Sequence, residues 1–179
     1  MKSIVTGGAG FIGSHIADLL LEEGHEVIIF DNLESGFKKN IPKAAKFMNV
    51  DIAPATYDAM GFSDMKKAFE GVDYVFHLAA LPRVQPSIDE PLLHDRVNTQ
   101  GTLRMLKMAA KAKVKRFIFS SSSAIYGNVE EKNLPTDEDA ETAPLSPYGA
   151  QKQIGEVYCK MFSQSYNLLH LVKKMMVFA

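Results

Sequence analysis

The sequence predicts an α/β fold, a doubly wound parallel sheet with helices on both faces in three α/β/α layers. Short apolar runs alternate along the chain with segments of helical periodicity, which is typical of a parallel sheet covered on both sides. A glycine-rich turn separates the first apolar run from the first helical segment, and an acidic residue closes the second run. We therefore expect a single domain over residues 1–179.

The first strand, turn and helix carry the most informative motif. The apolar run 3–5 is followed by Gly7, Gly10 and Gly13, and helical spacing continues to Gly24. A dinucleotide pyrophosphate needs a tight turn, a close main-chain approach and a helix packed near its strand, which these three glycines supply in that order. The motif predicts a Rossmann fold, and an ordinary glycine turn is the alternative.

The second strand ends in an acid at an informative distance. Residues 27–30 form the apolar run, and Asp31 lies 18 residues beyond Gly13. In dinucleotide-binding domains a carboxylate about 20 residues on holds the adenosine ribose. Because a carboxylate repels a 2′-phosphate, Asp31 favours NAD over NADP.

The remaining elements continue the alternation. Strands are predicted at 46–50, 74–77 and 116–120, and helices at about 63–70, 90–112 and 147–166. The stretches 32–45 and 125–145 are long and irregular, and residues 53–62 extend the connection after the third strand. Right-handed crossovers place the carboxyl ends of all strands at one edge, where ligands bind.

The last predicted helix carries a tyrosine and a lysine one turn apart. Tyr148 and Lys152 follow Pro147, which suits the first position of a helix, so both side chains project from one face. A neighbouring cation favours the phenolate and would lower the pKa of Tyr148. An exposed helix face is the alternative. The serine run 120–123 ends a predicted strand and places a hydroxyl at the ligand edge, unless it is a polar strand-to-loop transition.

Composition excludes several classes of function. The chain is 46% hydrophobic with a formal charge of −1, which gives no indication of a nucleic-acid partner. No apolar run reaches the roughly 18 residues of a membrane span, and the one cysteine, Cys159, suits a reducing compartment. We expect a cytoplasmic protein. The five histidines show no metal-ligand spacing, and His77 is expected to be a core residue at a strand end.

Together these motifs resemble the extended short-chain dehydrogenase/reductase family, specifically its nucleotide-sugar 4-epimerases. The glycine motif, Asp31-Asn32, Asp51-Ile52, His77 to Ala80, Asn98 with Gly101-Thr102, the serine run with Tyr126-Gly127, and Tyr148 with Lys152 all match in order. The residues 81–87 are similar to those of epimerases for UDP-glucose and UDP-N-acetylglucosamine. There Arg83 and Ser87 would approach the sugar or its phosphates, or serve as a surface arginine and a turn serine.

The resemblance implies a role in NAD binding for a defined set of residues. The pyrophosphate would lie on Gly7, Gly10, Phe11, Ile12 and Gly13, and the adenosine ribose on Asp31 and Asn32 with Ser35 and Gly36 nearby. Asp51 and Ile52 would meet the adenine, Leu78, Ala79 and Ala80 would line the central channel, and Asn98 would support the site. Lys152 would bind the nicotinamide ribose and lower the pKa of Tyr148. Ser122, four residues before the Tyr126-Gly127 pair, would be the catalytic hydroxyl.

The implied reaction is inversion at C4 of a UDP-hexose by transient oxidation. Tyr148 would take the proton of the 4-hydroxyl, Ser122 would hydrogen-bond the same oxygen, and NAD would be regenerated within the site. Dehydratases of the family carry an Asp-Glu pair where this chain has Ser123 and Ala124, so dehydration is disfavoured. A dehydratase or another extended short-chain reductase remains an alternative.

The end of the chain departs from the family pattern. Members continue into another strand and a carboxy-terminal domain that grips the substrate, whereas residues 168–179 do not match that strand beyond its first few positions. We expect the substrate domain to be absent, the sixth strand to be lost, and turnover of a sugar by this chain to be weak or undetectable. A non-catalytic NAD-binding module is therefore a second hypothesis. The family also implies a homodimer through the helices at about 90–112 and 147–166.

Overall fold

A six-stranded parallel sheet forms the centre of the molecule. The computed structural model describes residues 1–54 and 62–173, so most of the predicted 53–62 connection and residues 174–179 lie outside the described residues. Within that part the strands are Lys2–Thr6 (β1), Glu26–Asp31 (β2), Lys46–Asn49 (β3), Tyr74–His77 (β4), Arg116–Ser120 (β5) and His170–Lys173 (β6). Their order is β3-β2-β1-β4-β5-β6. The chain adds strands outward from β1 on one side and then, from β4 onward, on the other side, and this order confirms the predicted doubly wound fold.

Helices cover both faces of the sheet. They are Phe11–Glu22 (α1), Phe62–Ala68 (α2), Val84–Asp89 (α3), Pro91–Asp95 (α4), Thr102–Lys111 (α5) and Pro147–Tyr166 (α6). The helix predicted at 90–112 consists of α4, a π-helical stretch over Arg96–Gly101, and α5. The six-residue α3 is not predicted, because it is too short for a periodic signal and contains Pro86.

The sixth strand corrects an expectation. The prediction that it is lost is wrong, because β6 pairs in parallel with β5 along its whole length, with Ile118 opposite Leu171. The helix α6 ends at Tyr166 and is capped by Asn167, whose φ of 53° is left-handed; the chain then returns to the sheet through Leu168, which is 2% exposed. Strand pairing uses backbone groups, so a side-chain motif unlike the family's still forms it.

Two apolar cores lie on opposite faces of the sheet. The larger one joins the strands to α2, α5 and α6 through residues such as Met65, Met105, Phe117 and Phe162. The smaller one packs Ala17 of α1 against alternate residues of β1 and β2. Because strand side chains alternate between faces, both layers draw on the same strands. Because all the strands are parallel, their carboxyl ends lie at one edge of the sheet.

Candidate active site

The loop between β1 and α1 needs glycine at two of the predicted positions. Gly7 has a φ of +71°, and a side chain there would place its Cβ 2.8 Å from the amide nitrogen of Ala79. A Cβ at Gly13 would overlap the carbonyl oxygen of Gly7. The first turn of α1 is thus packed onto the loop at backbone contact. No other small residue fits this arrangement without moving the loop.

The start of α1 has the features of an anion-binding helix end. Its N-cap is Gly10, which gives no side-chain cap, and its first turn contains no acidic residue. Phe11 and Ile12 are 78% and 39% exposed. Uncapped N–H groups and the positive end of the helix dipole favour a phosphate there. The predicted pyrophosphate-binding residues therefore fit that ligand.

Asp31 ends β2 beside this loop and holds its shape. One carboxylate oxygen accepts a hydrogen bond from Ala9 N at 2.9 Å, and the other accepts one from Leu33 N at 2.8 Å. The side chain is 8% exposed. Each carboxylate oxygen retains a free lone pair after these bonds, so Asp31 can still accept from ribose hydroxyls.

The other predicted adenosine-side residues lie along the same edge. Asn32 and Ser35 are exposed, and Gly36 lies against Ala9 so closely that a Cβ would come within 2.8 Å of the alanine Cβ. Asp51 accepts from Ala53 N at 2.8 Å. Ile52 is 5% exposed and belongs to the larger core, and its carbonyl accepts from Arg104 at 2.9 Å. Its side chain thus supports the floor of this region from within the core.

A buried polar network connects β1 and β4 below the predicted channel. Thr6 Oγ1 accepts from the amides of Leu78 and Ala79, at 3.2 and 3.1 Å, and lies 2.7 Å from Nδ1 of His77. Nε2 of His77 lies 2.9 Å from Thr102 Oγ1, which donates to the carbonyl of Asn98 at 2.6 Å. We assign the proton of His77 to Nε2, because the Thr6 hydroxyl must donate to Nδ1. Burial, assisted by the charge of Lys152, lowers the pKa of His77 to about 3.

Asn98 joins this network to the last helix. Its Oδ1 accepts from Leu81 N at 2.8 Å, while its Nδ2 donates to Leu81 O at 3.0 Å and to Gln151 Oε1 at 2.8 Å. The loop that contains Leu78, Ala79 and Ala80 is thereby held against α6. Asn98 is 3% exposed and lies in the π-helical stretch, a local geometry frequent at functional sites.

Ser122, Tyr148 and Lys152 meet where β5 ends. Ser122 caps the 3-10 turn Ser123–Ile125, accepting from Ala124 N at 3.2 Å, and its side chain hydrogen-bonds the phenol of Tyr148. Lys152 donates to the carbonyl of Ser120 at 2.9 Å, and its Nζ lies 5.9 Å from the centre of the Tyr148 ring. The hydroxyl, phenol and ammonium that the sequence analysis selects are therefore neighbours in space.

Burial governs the pKa values of Tyr148 and Lys152 at this site. Burial raises the pKa of Tyr148, and the hydrogen bond with Ser122 only partly opposes it. The net shift of the Tyr148 pKa is therefore upward in the chain by itself, and the role of Lys152 in lowering that pKa stays a prediction. Burial also lowers the pKa of Lys152 to about 8. The desolvation of the charged forms is thus the largest electrostatic effect at the site.

Comparison with known proteins decides the family. The model of the NAD dependent epimerase/dehydratase family matches residues 3–174. The chain belongs to this family. Because that match spans both the glycine loop and the Ser122–Tyr148–Lys152 site, the whole described edge of the sheet corresponds to epimerase/dehydratase sequence.

Named epimerases are among the similar family members. The chain is 41% identical over 170 residues to the putative UDP-glucose 4-epimerase of Methanocaldococcus jannaschii, covering 94% of this chain and 53% of that protein. A Thermotoga maritima UDP-glucose 4-epimerase solved with UDP-glucose has a TM-score of 0.88 and 41% identity, covering 97% of this chain and 55% of that one. The Thermus thermophilus UDP-glucose 4-epimerase complex with NAD has a TM-score of 0.86 and 36% identity, with coverage of 97% and 54%. The chain thus spans about half the length of these epimerases.

Two site features of this epimerase/dehydratase chain escaped the sequence analysis. Gln151 precedes Lys152 and anchors Asn98, and Thr6 orients both His77 and the loop after β4. The position of Thr6 directly before the glycine motif is the only sequence signal for its role. Among the residues with described positions, no helix is long and apolar enough to cross a membrane, and no cluster of potential metal ligands occurs.

Proposed function

We propose that this chain forms the NAD-binding and catalytic half of a UDP-hexose 4-epimerase. The observation that carries the proposal is the meeting of Ser122, Tyr148 and Lys152 at the edge of the sheet that also contains the glycine loop. An oxygen bound beside the Tyr148 phenol would also lie beside the Ser122 hydroxyl. The matched relatives named as UDP-glucose 4-epimerases support this choice of reaction and substrate.

The fit of the glycine loop supports NAD as the cofactor. The absence of side chains at Gly7 and Gly13 lets the loop and the helix pack closely and leaves room for a pyrophosphate. The uncapped start of α1 supplies N–H donors for it. Asp31, buried and already bonded to Ala9 and Leu33, presents a negative charge where a 2′-phosphate of NADP would lie. Bound NAD supplies reversible oxidation of the sugar carbon.

Tyr148, Ser122 and Lys152 have separate roles in the proposed reaction. Tyr148 takes the proton of the sugar 4-hydroxyl and returns it after inversion, and Ser122 holds the same oxygen by a hydrogen bond. Lys152 has two N–H donors beyond its bond to Ser120, which serve the nicotinamide ribose. Its positive charge offsets part of the burial cost when the phenolate forms.

An epimerase assay tests this proposal against a non-catalytic NAD-binding module. The chain and Tyr148→Phe are incubated with NAD and with UDP-glucose, UDP-N-acetylglucosamine or their 4-epimers. We expect weak conversion by the chain, and at least about 100-fold less by Tyr148→Phe, since the phenol proton transfer is lost while the ring remains. Net accumulation of reduced nicotinamide would instead indicate a simple dehydrogenase.

Cofactor titration distinguishes the remaining outcomes. We expect NAD to bind more tightly than NADP, measured by calorimetry on the unmodified chain. NAD binding with equal background conversion by the chain and Tyr148→Phe would favour the NAD-binding module. Tighter binding of NADP would contradict the role given to Asp31.

The same proposal includes a homodimer in the cytoplasm. Apolar side chains remain exposed on α4 and α6, including Leu92 at 86%, Leu93 at 42%, Ile154 at 37% and Val157 at 60%. The two helices are in contact, so these side chains provide an apolar surface that a second copy could cover. The single, buried Cys159 suits a reducing compartment.

A further inference from the structure

Ser87 is a fully buried hydroxyl near the site that the proposed reaction does not use. It is 0% exposed, donates to the carbonyl of Val84 at 2.6 Å and accepts from the backbone N of Tyr148 at 3.0 Å. Its proton and one of its two lone pairs are thus used inside the protein. Its contact is with the backbone of the predicted base.

The amide of Tyr148 needs a partner from outside its own helix. The first N–H groups of a helix have no partner within it, and Pro147 has no N–H at all. The side chain of Ser146, the N-cap, accepts from Gly149 N, at 3.1 Å. Ser87 therefore provides a second cap from a separate element, α3, to the residue that bears the catalytic phenol.

The segment that carries Ser87 is held in place at a conformational cost. Arg83, immediately before α3, has φ 84° and ψ 137°, a region that residues with a side chain rarely adopt. Two residues earlier, Leu81 is bound through both its N–H and its carbonyl to Asn98. The strained residue lies between this anchor and the anchor of Ser87 on Tyr148. Such strain persists where surrounding contacts determine the backbone, and it clusters at active sites.

We propose that Ser87 is a positioning residue for Tyr148. Through it α3 fixes the start of α6 relative to the loop of Leu78, Ala79 and Ala80, so that the phenol keeps its place beside Ser122 and the predicted cofactor channel. This inference rests on the proposed function, in which Tyr148 is the base. It predicts that loss of the Ser87 hydroxyl changes the environment of a phenol that Ser87 does not touch.

Titration of Tyr148 by NMR tests the proposal without substrate or cofactor. The chain is labelled with ¹³Cζ-tyrosine, and the signal of Tyr148 among the six tyrosines is identified by its loss in Tyr148→Phe. Because burial raises the pKa of Tyr148, we expect Ser87→Ala to lower it by about half a unit or more toward its ordinary value. A chain without epimerase activity can still give this result, so the two proposals fail separately.

Ser146→Ala is the matched control. It removes the other serine cap of α6, and both variants should lower the melting temperature by a few degrees. We expect the Tyr148 titration to shift in Ser87→Ala and to stay within error of the unmodified chain in Ser146→Ala. Ser87→Cys keeps the side-chain shape with a weaker acceptor, gives an intermediate shift, and serves if Ser87→Ala does not fold. An unchanged titration in the folded Ser87 variants, or an equal shift in Ser146→Ala, would overturn the proposal.

Discussion

At the scale of single residues, Lys152 combines a functional position with a cost in stability. It is 5% exposed and donates a hydrogen bond to the carbonyl of Ser120, with no carboxylate partner among its described contacts. Burial lowers its pKa from 10.5 to about 8. Each unit of such a shift corresponds to about 1.4 kcal/mol against the charged form in the folded protein. At neutral pH the charge of Lys152 therefore destabilises the fold.

Replacing Lys152 by an apolar residue should stabilise the fold. We expect Lys152→Met to raise the free energy of unfolding by about 2 kcal/mol at pH 7. The gain comes from removing a buried charge, and the loss of the hydrogen bond to Ser120 reduces it. Below pH 8 the folded and unfolded states of the unmodified chain both hold the proton, and the penalty is complete. Between pH 8 and 10.5 the folded state releases it first, so the unmodified chain gains stability and the advantage of Lys152→Met shrinks.

Urea denaturation at several pH values measures this effect. The control is Lys160→Met, which removes an exposed lysine from the same helix and should show no such pH dependence. A difference between Lys152→Met and the unmodified chain that is constant from pH 7 to pH 10 would contradict the burial argument.

The residues of the candidate site were largely predictable from sequence, whereas their ionisation was not. The four-residue spacing of Tyr148 and Lys152 indicates one face of a helix, and the structure places Ser122 beside them. The pKa of Tyr148 depends instead on how much water the surrounding elements exclude. That exclusion arises from contacts between segments far apart in the sequence, which local spacing does not encode.

At the scale of elements, α3 shows how a short helix can matter more than its length suggests. It has six residues, contains a proline and starts after a strained arginine, so local propensity favours neither the helix nor its entry. Its place is determined by the contacts of Ser87 and by the Leu81–Asn98 pair. These contacts join residues far apart in the chain, which is why sequence periodicity did not predict α3.

Relieving the strain before α3 should stabilise the protein. We expect Arg83→Gly to raise the free energy of unfolding by about 1 kcal/mol, because glycine adopts φ 84° without steric cost. This figure is net of the larger conformational entropy that glycine has in the unfolded chain. Thermal denaturation measures the change. Arg83→Ala is the matched control, since it removes the guanidinium but keeps a Cβ, and it should bring no gain. Equal effects of the two variants would show that the backbone of Arg83 stores no strain.

The strands illustrate what was and was not predictable among the elements. The apolar runs of β1, β2, β4 and β5 identified these strands within a residue or two, because buried parallel strands are nearly continuous in apolar residues. The strand β6 alternates instead between half-buried and exposed residues, as an edge strand does. Its pairing with β5 is a backbone interaction that a motif comparison overlooks.

At the scale of the whole molecule, the two faces of the sheet differ in what they leave exposed. The helices α4 and α6, which contact each other, expose several apolar side chains; α1 on the other face exposes Phe11 and Ile12 at its start, beside the glycine loop, and Leu19 at 61% further along. A charged residue in the first surface should prevent the proposed dimer. We expect Val157→Glu to sediment as a monomer. Its melting temperature should be close to that of the unmodified chain diluted until it is monomeric.

Leu19→Glu provides the control for that experiment. It makes the same kind of change at an equally exposed apolar residue of a helix on the opposite face, and it should leave the dimer intact. Sedimentation velocity of both variants at matched concentrations gives the comparison. Dissociation by Leu19→Glu but not by Val157→Glu would place the interface elsewhere.

The hydrogen bonds of His77 have a consequence for the protons of the whole site. Thr6 and Thr102 fix its tautomer, and burial with the charge of Lys152 lowers its pKa to about 3, so this ring stays neutral throughout the physiological range. Cys159 is likewise silent, because burial raises its pKa to about 12. Lys152 differs from both, because burial lowers its pKa to about 8. Of these three groups, Lys152 alone would then change its charge near pH 8, so a titration seen there in the candidate site reports on the helix α6 rather than on the strands.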